Sequence, residues 1–184
     1  MKYETRTAYQ SLRCDCDTKS VGSPTLYGYA ATFNKSYDMG KFDEVISPSA
    51  FTRSLRESPD IMALFNHDPA MPVARTTNGS LKLSEDSRGL SIIIAPIATT
   101  YADDMMEAVR TGVIDAMSFG FNVRADRFER RENGKVTRVI EDVDLHEVSI
   151  VTFPANPDTS VQIDTRSFDK WKKVERRYFL LPPS

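Results

Sequence analysis

The chain has 184 residues, 40% of them hydrophobic and 27% charged, with a formal net charge of −2. That length buries a real core as one domain with short extensions, and that composition excludes a disordered polyelectrolyte. The small net charge gives no footprint for nucleic acid or an acidic membrane, and the longest apolar stretch, LSIIIAPIA, is far too short to span a bilayer.

The start, MKYETRTAYQ, has neither the apolar core nor the small-residue cleavage pattern of a signal peptide, so the expected compartment is the cytoplasm. Cys14 and Cys16 sit two apart in an extended segment, poorly placed to bridge each other and without a nearby histidine for zinc. They read as reduced thiols. TLYGYAATF reads as a strand around Gly28. FDEVISPSAFTRSLRES reads as a short strand running into a helix, with Ser47 as N-cap, Pro48 at the first helical position, and Phe51 and Leu55 one turn apart. DIMALFNHD is a strand ending at a polar corner, with Pro69 as its stop. SLKLSEDSRGLSIIIAPI reads as a hairpin around SEDSRG. TTYADDMMEAVRTG is the clearest helix: Thr99 or Thr100 caps it, Asp103 and Asp104 suit its first turn, and Gly112 suits the end. Tyr101, Met105, Ala108 and Val109 form its apolar stripe.

Asn133-Gly134 is a hairpin signal between two long strand-like runs, and Pro154 and Pro157 close the second. Arg124, Arg127, Arg130, Arg131, Lys135 and Arg138 read as a solvated rim on this hairpin, with substrate binding as the minority reading. The last stretch, SFDKWKKVERRYFLLPPS, places Phe168, Trp171, Val174 and Tyr178 at helical spacing opposite a basic face. Docking onto the domain is favoured over a detachable segment, because a tryptophan and several aromatics are costly to expose. The whole reads as an α+β domain, strand-dominated, around a curved sheet or barrel.

Chemistry concentrates at few residues. From Val113 to Val123 the odd positions are mostly bulky, while the even ones carry Ile114, Ala116, Ser118, Gly120 and Asn122. Ser118 thus lies on a face of small residues, open to close approach by a packed helix or a substrate chain. A serine hydroxyl needs a base, and the chain has two histidines, His67 and His146. His67 begins a polar corner. In VDLHEVSIV, Glu147 is an acid among apolar neighbours, and a buried carboxylate needs a partner that an imidazole would supply. His146 is the alternative third member. Neither a nucleophile elbow nor a metal motif is present, and no cofactor is called for. Spacing alone does not join positions 67, 118 and 147.

Six stretches in order, YGYAATFN, FDEVISPSAF, LFNHD, GSLKLSEDSRGL, VRTGVIDAMSFGF and DLHEVSIVTFPANP, resemble the prohead (procapsid maturation) proteases of tailed phages over about Leu26 to Pro157. The resemblance implies a serine endopeptidase with a mainly antiparallel β-barrel flanked by helices, similar to herpesvirus assemblin. It implies Ser118 as nucleophile, His67 as general base and Glu147 as orienting acid, with His146 kept open because the herpesvirus relatives use a second histidine. The amides of Phe119 and Gly120 are the expected oxyanion hole. Two positions depart from the family pattern: Ser49 and Ala74 stand where glycine is common, which puts local turn shape in question. The organisation implied is an N-terminal extension (1–24), a protease domain (25–166) and a tail (167–184) that is docked or removed by processing. The implied role is cleavage of scaffold or capsid precursor, and of the protease itself, inside the assembling prohead in the host cytoplasm. A homodimer or higher oligomer stays open; nucleic acid and membrane are not expected partners. The rivals are a catalytically silent structural or scaffold-binding component of the same fold, and an esterase or amidase using the same serine.

Overall fold

The computed structural model describes residues 3–8, 12–15, 25–58, 60–132, 134–153 and 166–179. Eleven strands and three helices follow one another among them. They are β1 (Glu4–Ala8), β2 (Leu12–Asp15), β3 (Thr25–Thr32), β4 (Tyr37–Asp38), β5 (Asp43–Ile46), α1 (Thr52–Glu57), β6 (Met62–Phe65), β7 (Asp68–Arg75), β8 (Leu81–Glu85), β9 (Gly89–Ile94), α2 (Thr100–Arg110), β10 (Ala116–Arg130), β11 (Val136–Val151) and α3 (Arg166–Phe179).

The strands form two sheets. The larger runs β1-β10-β11-β5-β4, and β6 also pairs with β11 and carries β7; the smaller runs β2-β3-β9-β8. A backbone bond from Leu12 N to the carbonyl of Asp115 ties the second sheet to the start of β10. The expected α+β class holds, but a closed barrel is not formed among the described residues, and the large sheet is mixed. β11 runs antiparallel to β10 yet parallel to β5 through its first half and to β6 through its second. A sixteen-residue strand is long enough to serve two short partners in succession, so the sheet branches along β11 instead of closing.

The core lies between the sheets. Phe33, Phe51, Phe119 and Phe121 form a continuous aromatic chain with ring centroids 4.9 to 6.3 Å apart, packed with Leu26, Ile92 and Ile94. Each such ring contributes about 1.5–3 kcal/mol by burial, which fixes the odd face of β10 inward. Ser118 and Gly120 therefore occupy the opposite face.

Three local expectations change. α1 begins at Thr52 rather than Pro48, because Ser49 adopts a left-handed φ of +70° and Ser47 is held by Ile140, its N donating to that carbonyl. This φ is one that glycine adopts without a steric cost. Pro69 does not stop the chain: it lies within β7, an edge strand that pairs only with β6, where a missing N–H is tolerated. Cys14 is disulfide-bonded rather than reduced. The only other cysteine, Cys16, lies outside the described residues, as do Asn133, Pro154 and Pro157.

Arg138 is not part of a solvated rim. It is 2% exposed and joins a buried network with Glu44, Asp126, Glu4 and Arg6. The carboxylates of Glu44 and Asp126, which it bonds, hold it inside instead. Losing one member of such a network costs about 3–5 kcal/mol, since the remaining charges stay buried. Arg124 and Arg127 do lie on the surface, bonded to Asp144 and Glu141. The last helix docks through its first half, with Phe168 and Trp171 against Phe128, and Phe168 also against Phe42.

Candidate active site

The parallel pairing of β6 with β11 sets the site. Met62 lies beside Glu147 and Leu64 beside Ser149, so the turn after β6 arrives near the middle of β11's last segment. Phe65 pairs with Asp68 across that turn, leaving Asn66 and His67 as its two central residues, with φ of +53° and +60°. Two successive positive φ values are what a tight type I′ hairpin requires, and its second position favours glycine. A histidine there costs about 1–2 kcal/mol, and the surroundings must hold it. Asn66 does so. Its Oδ1 accepts from the N and Oγ1 of Thr152 at 2.9 and 3.1 Å, and its own N donates to the carbonyl of Ile150 at 2.8 Å.

The result is a close contact between an imidazole and a carboxylate. His67 Nδ1 lies 2.7 Å from Glu147 Oε1, and the other carboxylate oxygen accepts from Ser149 Oγ at 2.5 Å. Glu147 is 4% exposed, so both oxygens have the partners a buried carboxylate needs. With Glu147 on Nδ1, Nε2 is the nitrogen left to act on a hydroxyl. Gly120 makes the space: it pairs with Glu147, and a side chain there would strike Glu147 Oε1 and the ring of Tyr3. The small-residue face thus admits a carboxylate and an aromatic ring. Burial, and then the charge of Glu147, push the Tyr3 phenol above its ordinary range.

Ser118 is one step along the same face, opposite Ser149 on β11 and Thr7 on β1. It is 1% exposed, and its hydroxyl donates to the main-chain carbonyl of Arg6 at 2.9 Å. The structure therefore brings His67 and Glu147 into contact and sets Ser118 on the neighbouring rung, bonded to β1 rather than to His67. His146 goes elsewhere. It sits at an irregularity of the ladder, between Leu145 and Glu147, and bonds Asn122 through Nε2 at 2.9 Å, with the Tyr3 ring 5.6 Å away. At Phe119 and Gly120, β10 is paired on both sides. Consecutive strand amides point to opposite edges, so one faces β1 and the other β11. Among the described residues no group of three or more histidine, cysteine or acidic side chains could hold a metal, and no helix is long and apolar enough to cross a membrane.

Sequence reasoning missed Ser149, Asn66 and Arg6. An asparagine before a turn residue that needs positive φ is a readable signal for Asn66. Ser149 shares its strand face with Glu147, which alternation could have shown. Arg6 carried no signal, because its partner strand lies more than a hundred residues away.

A family described as caudovirus prohead serine protease matches the chain over residues 12–174. The prohead protease of Enterobacteria phage HK97 is 30% identical over 138 residues, covering 73% of this chain and 57% of that protein, so the chain spans little more than half of this relative's length. The capsid assembly protease of bacteriophage T4 shares the fold, with a TM-score of 0.53 at 9% identity over 82% of this chain and 97% of that one.

Proposed function

The chain belongs to the caudovirus prohead serine protease family, and from that membership and the site's geometry we propose that it is a serine endopeptidase of capsid maturation. The observation that carries the proposal is the His67–Glu147 pair, held at 2.7 Å on a strained turn beside a serine-bearing strand. Ser118 Oγ attacks the scissile carbonyl as its proton passes to His67 Nε2. Glu147, steadied by Ser149, stabilises the imidazolium, which then protonates the leaving amine. Water, deprotonated by the same imidazole, releases the acyl group and restores Ser118. The amide of Phe119 or Gly120 on the substrate-facing edge of β10 supplies one donor to the oxyanion.

Its substrates are segments of capsid precursor or scaffold, and the chain itself, within the assembling prohead in the host cytoplasm. The wider kinship with the herpesvirus protease barrel, the division into extension, protease domain (25–166) and tail, and control by a homodimer or higher oligomer belong to the same proposal. The burial of Ser118 favours the rival reading, a silent structural component. Intact mass of the chain and of Ser118→Ala, incubated alone and with the cognate capsid precursor, decides between them. Fragments from the unchanged chain only are expected, with a rate loss of several orders of magnitude in the variant. Cleavage by Ser118→Ala refutes the assignment; no cleavage by either protein in the presence of precursor supports the silent reading.

A further inference from the structure

This inference rests on the protease reading above. A protease must hold its substrate extended, with the scissile carbonyl at the nucleophile, and pairing to a sheet edge is the general way to hold an extended peptide. β10 has β11 on one side. Its other side is the edge nearest Ser118, and the chain's own β1 fills it.

Three observations mark β1 as an occupant. It runs antiparallel to β10 with Thr7 opposite Ser118 and Arg6 opposite Phe119. The Ser118 hydroxyl donates to the Arg6 carbonyl at 2.9 Å, so a main-chain carbonyl of β1 already lies beside the nucleophile, where a substrate's carbonyl must come. Residues 4–8 also lie outside the stretch, 12–174, that matches the family. The Arg6 side chain leaves on the opposite face. There its Nε and one terminal nitrogen bond Glu44, a carboxylate with 0% exposure, at 2.5 and 3.0 Å, and its guanidinium lies 5.3 Å from the centre of the Phe121 ring. Tyr3 continues the strand across Gly120, beside Glu147. The β1 backbone runs along the serine, and the Tyr3 ring lies over the neighbouring Gly120, on the side a peptide would approach.

We propose that residues 4–8 are a self-ligand: they occupy the peptide-binding edge of β10, with Arg6 in a seat for a basic substrate residue. Other peptides reach Ser118 only when β1 is displaced.

The test loosens β1 and leaves Glu4, Arg6, Glu44 and Arg138 unchanged. Thr7→Pro disrupts the ladder, and Thr7→Gly keeps the backbone N–H while lowering strand propensity and removing a small buried side chain, the milder change of the two. Both full-length variants, checked by circular dichroism and urea unfolding, are compared with the unchanged chain for labelling by a fluorophosphonate mapped to Ser118. The expected result is labelling about fivefold faster in Thr7→Gly, the factor given by the ~1 kcal/mol span of strand propensity, and faster still in Thr7→Pro. A synthetic peptide YETRTA should suppress the gain, and YETETA should not. Unchanged labelling of Ser118 in a folded variant, or equal effects of the two peptides, overturns the proposal and leaves the protease reading intact. No labelling of Ser118 in any of the proteins overturns both.

Discussion

Replacing His67 by glycine sets two opposing effects against each other at one residue. Glycine relieves the left-handed φ of +60°, a gain of about 1 kcal/mol. It also removes the donor 2.7 Å from a carboxylate that is almost fully buried. Losing a charge-assisted partner in such a place costs about 2–4 kcal/mol. His67→Gly should therefore destabilise the chain by about 1–3 kcal/mol. In a Glu147→Gln background the balance differs, because the amide carries no charge. The bond lost is then worth about 1 kcal/mol, which offsets the relief, and glycine should be neutral within about 0.5 kcal/mol. The cycle predicts a coupling of about 2 kcal/mol between positions 67 and 147. Urea unfolding of the four proteins measures it, provided m is unchanged. Equal stabilisation by glycine in both backgrounds would show that Glu147 does not depend on His67. Equal destabilisation in both would show that the turn carries no strain to relieve.

Ser49→Gly should raise stability by about 0.5–1 kcal/mol and the melting temperature by about 2–4 °C, because the φ of +70° needs no side chain; a lower calorimetric midpoint refutes the strain. Arg53 donates to Asp142 and Asp144, clasping α1 to β11. Burial alone would raise the Asp144 carboxyl, but bonds from Arg53 and Arg124 outweigh it and hold that group below its ordinary range. A depressed carboxylate adds stability above its unfolded pKa, about 4, and loses it as pH falls through the folded value. Arg53→Gln should lower stability at pH 7, and the gap should close as pH falls below about 4, the unfolded carboxylate value. A gap that persists in acid points to packing instead.

The long hairpin, α2 and the strand around Gly28 were legible because each rests on local pattern: alternation, an apolar stripe, a glycine in a turn. The partner of Glu147 was legible for a different reason. An acid on an apolar face demands a counter-group, and the chain has two histidines to supply one. Arg138 was misplaced because a basic residue on a hairpin reads by type as surface, and its buried partner Glu44 lies 94 residues away in the chain. The pairing of β1 with β10, and the bond from Ser118 to Arg6, were not legible at all. Strands so far apart in sequence meet through the shape of the whole domain, and the side chains that fix them, Arg6 with Glu44 and Arg138, read singly as ordinary surface charges.

Ser49 and His67 adopt almost the same unfavourable backbone, each where glycine fits best. Strain alone therefore does not mark a functional residue. What separates them is the side chain: the Ser49 hydroxyl has no role in the turn, and the His67 ring reaches a buried carboxylate whose other oxygen is already held by Ser149. A strained residue whose side chain meets a buried charge cannot be relaxed to glycine without exposing that charge to an apolar surround. The strain at His67 is thus locked in by Glu147. The same lock fixes the ring so that Nε2 is left to act on a hydroxyl, which ties the stability of this turn to the chemistry it serves.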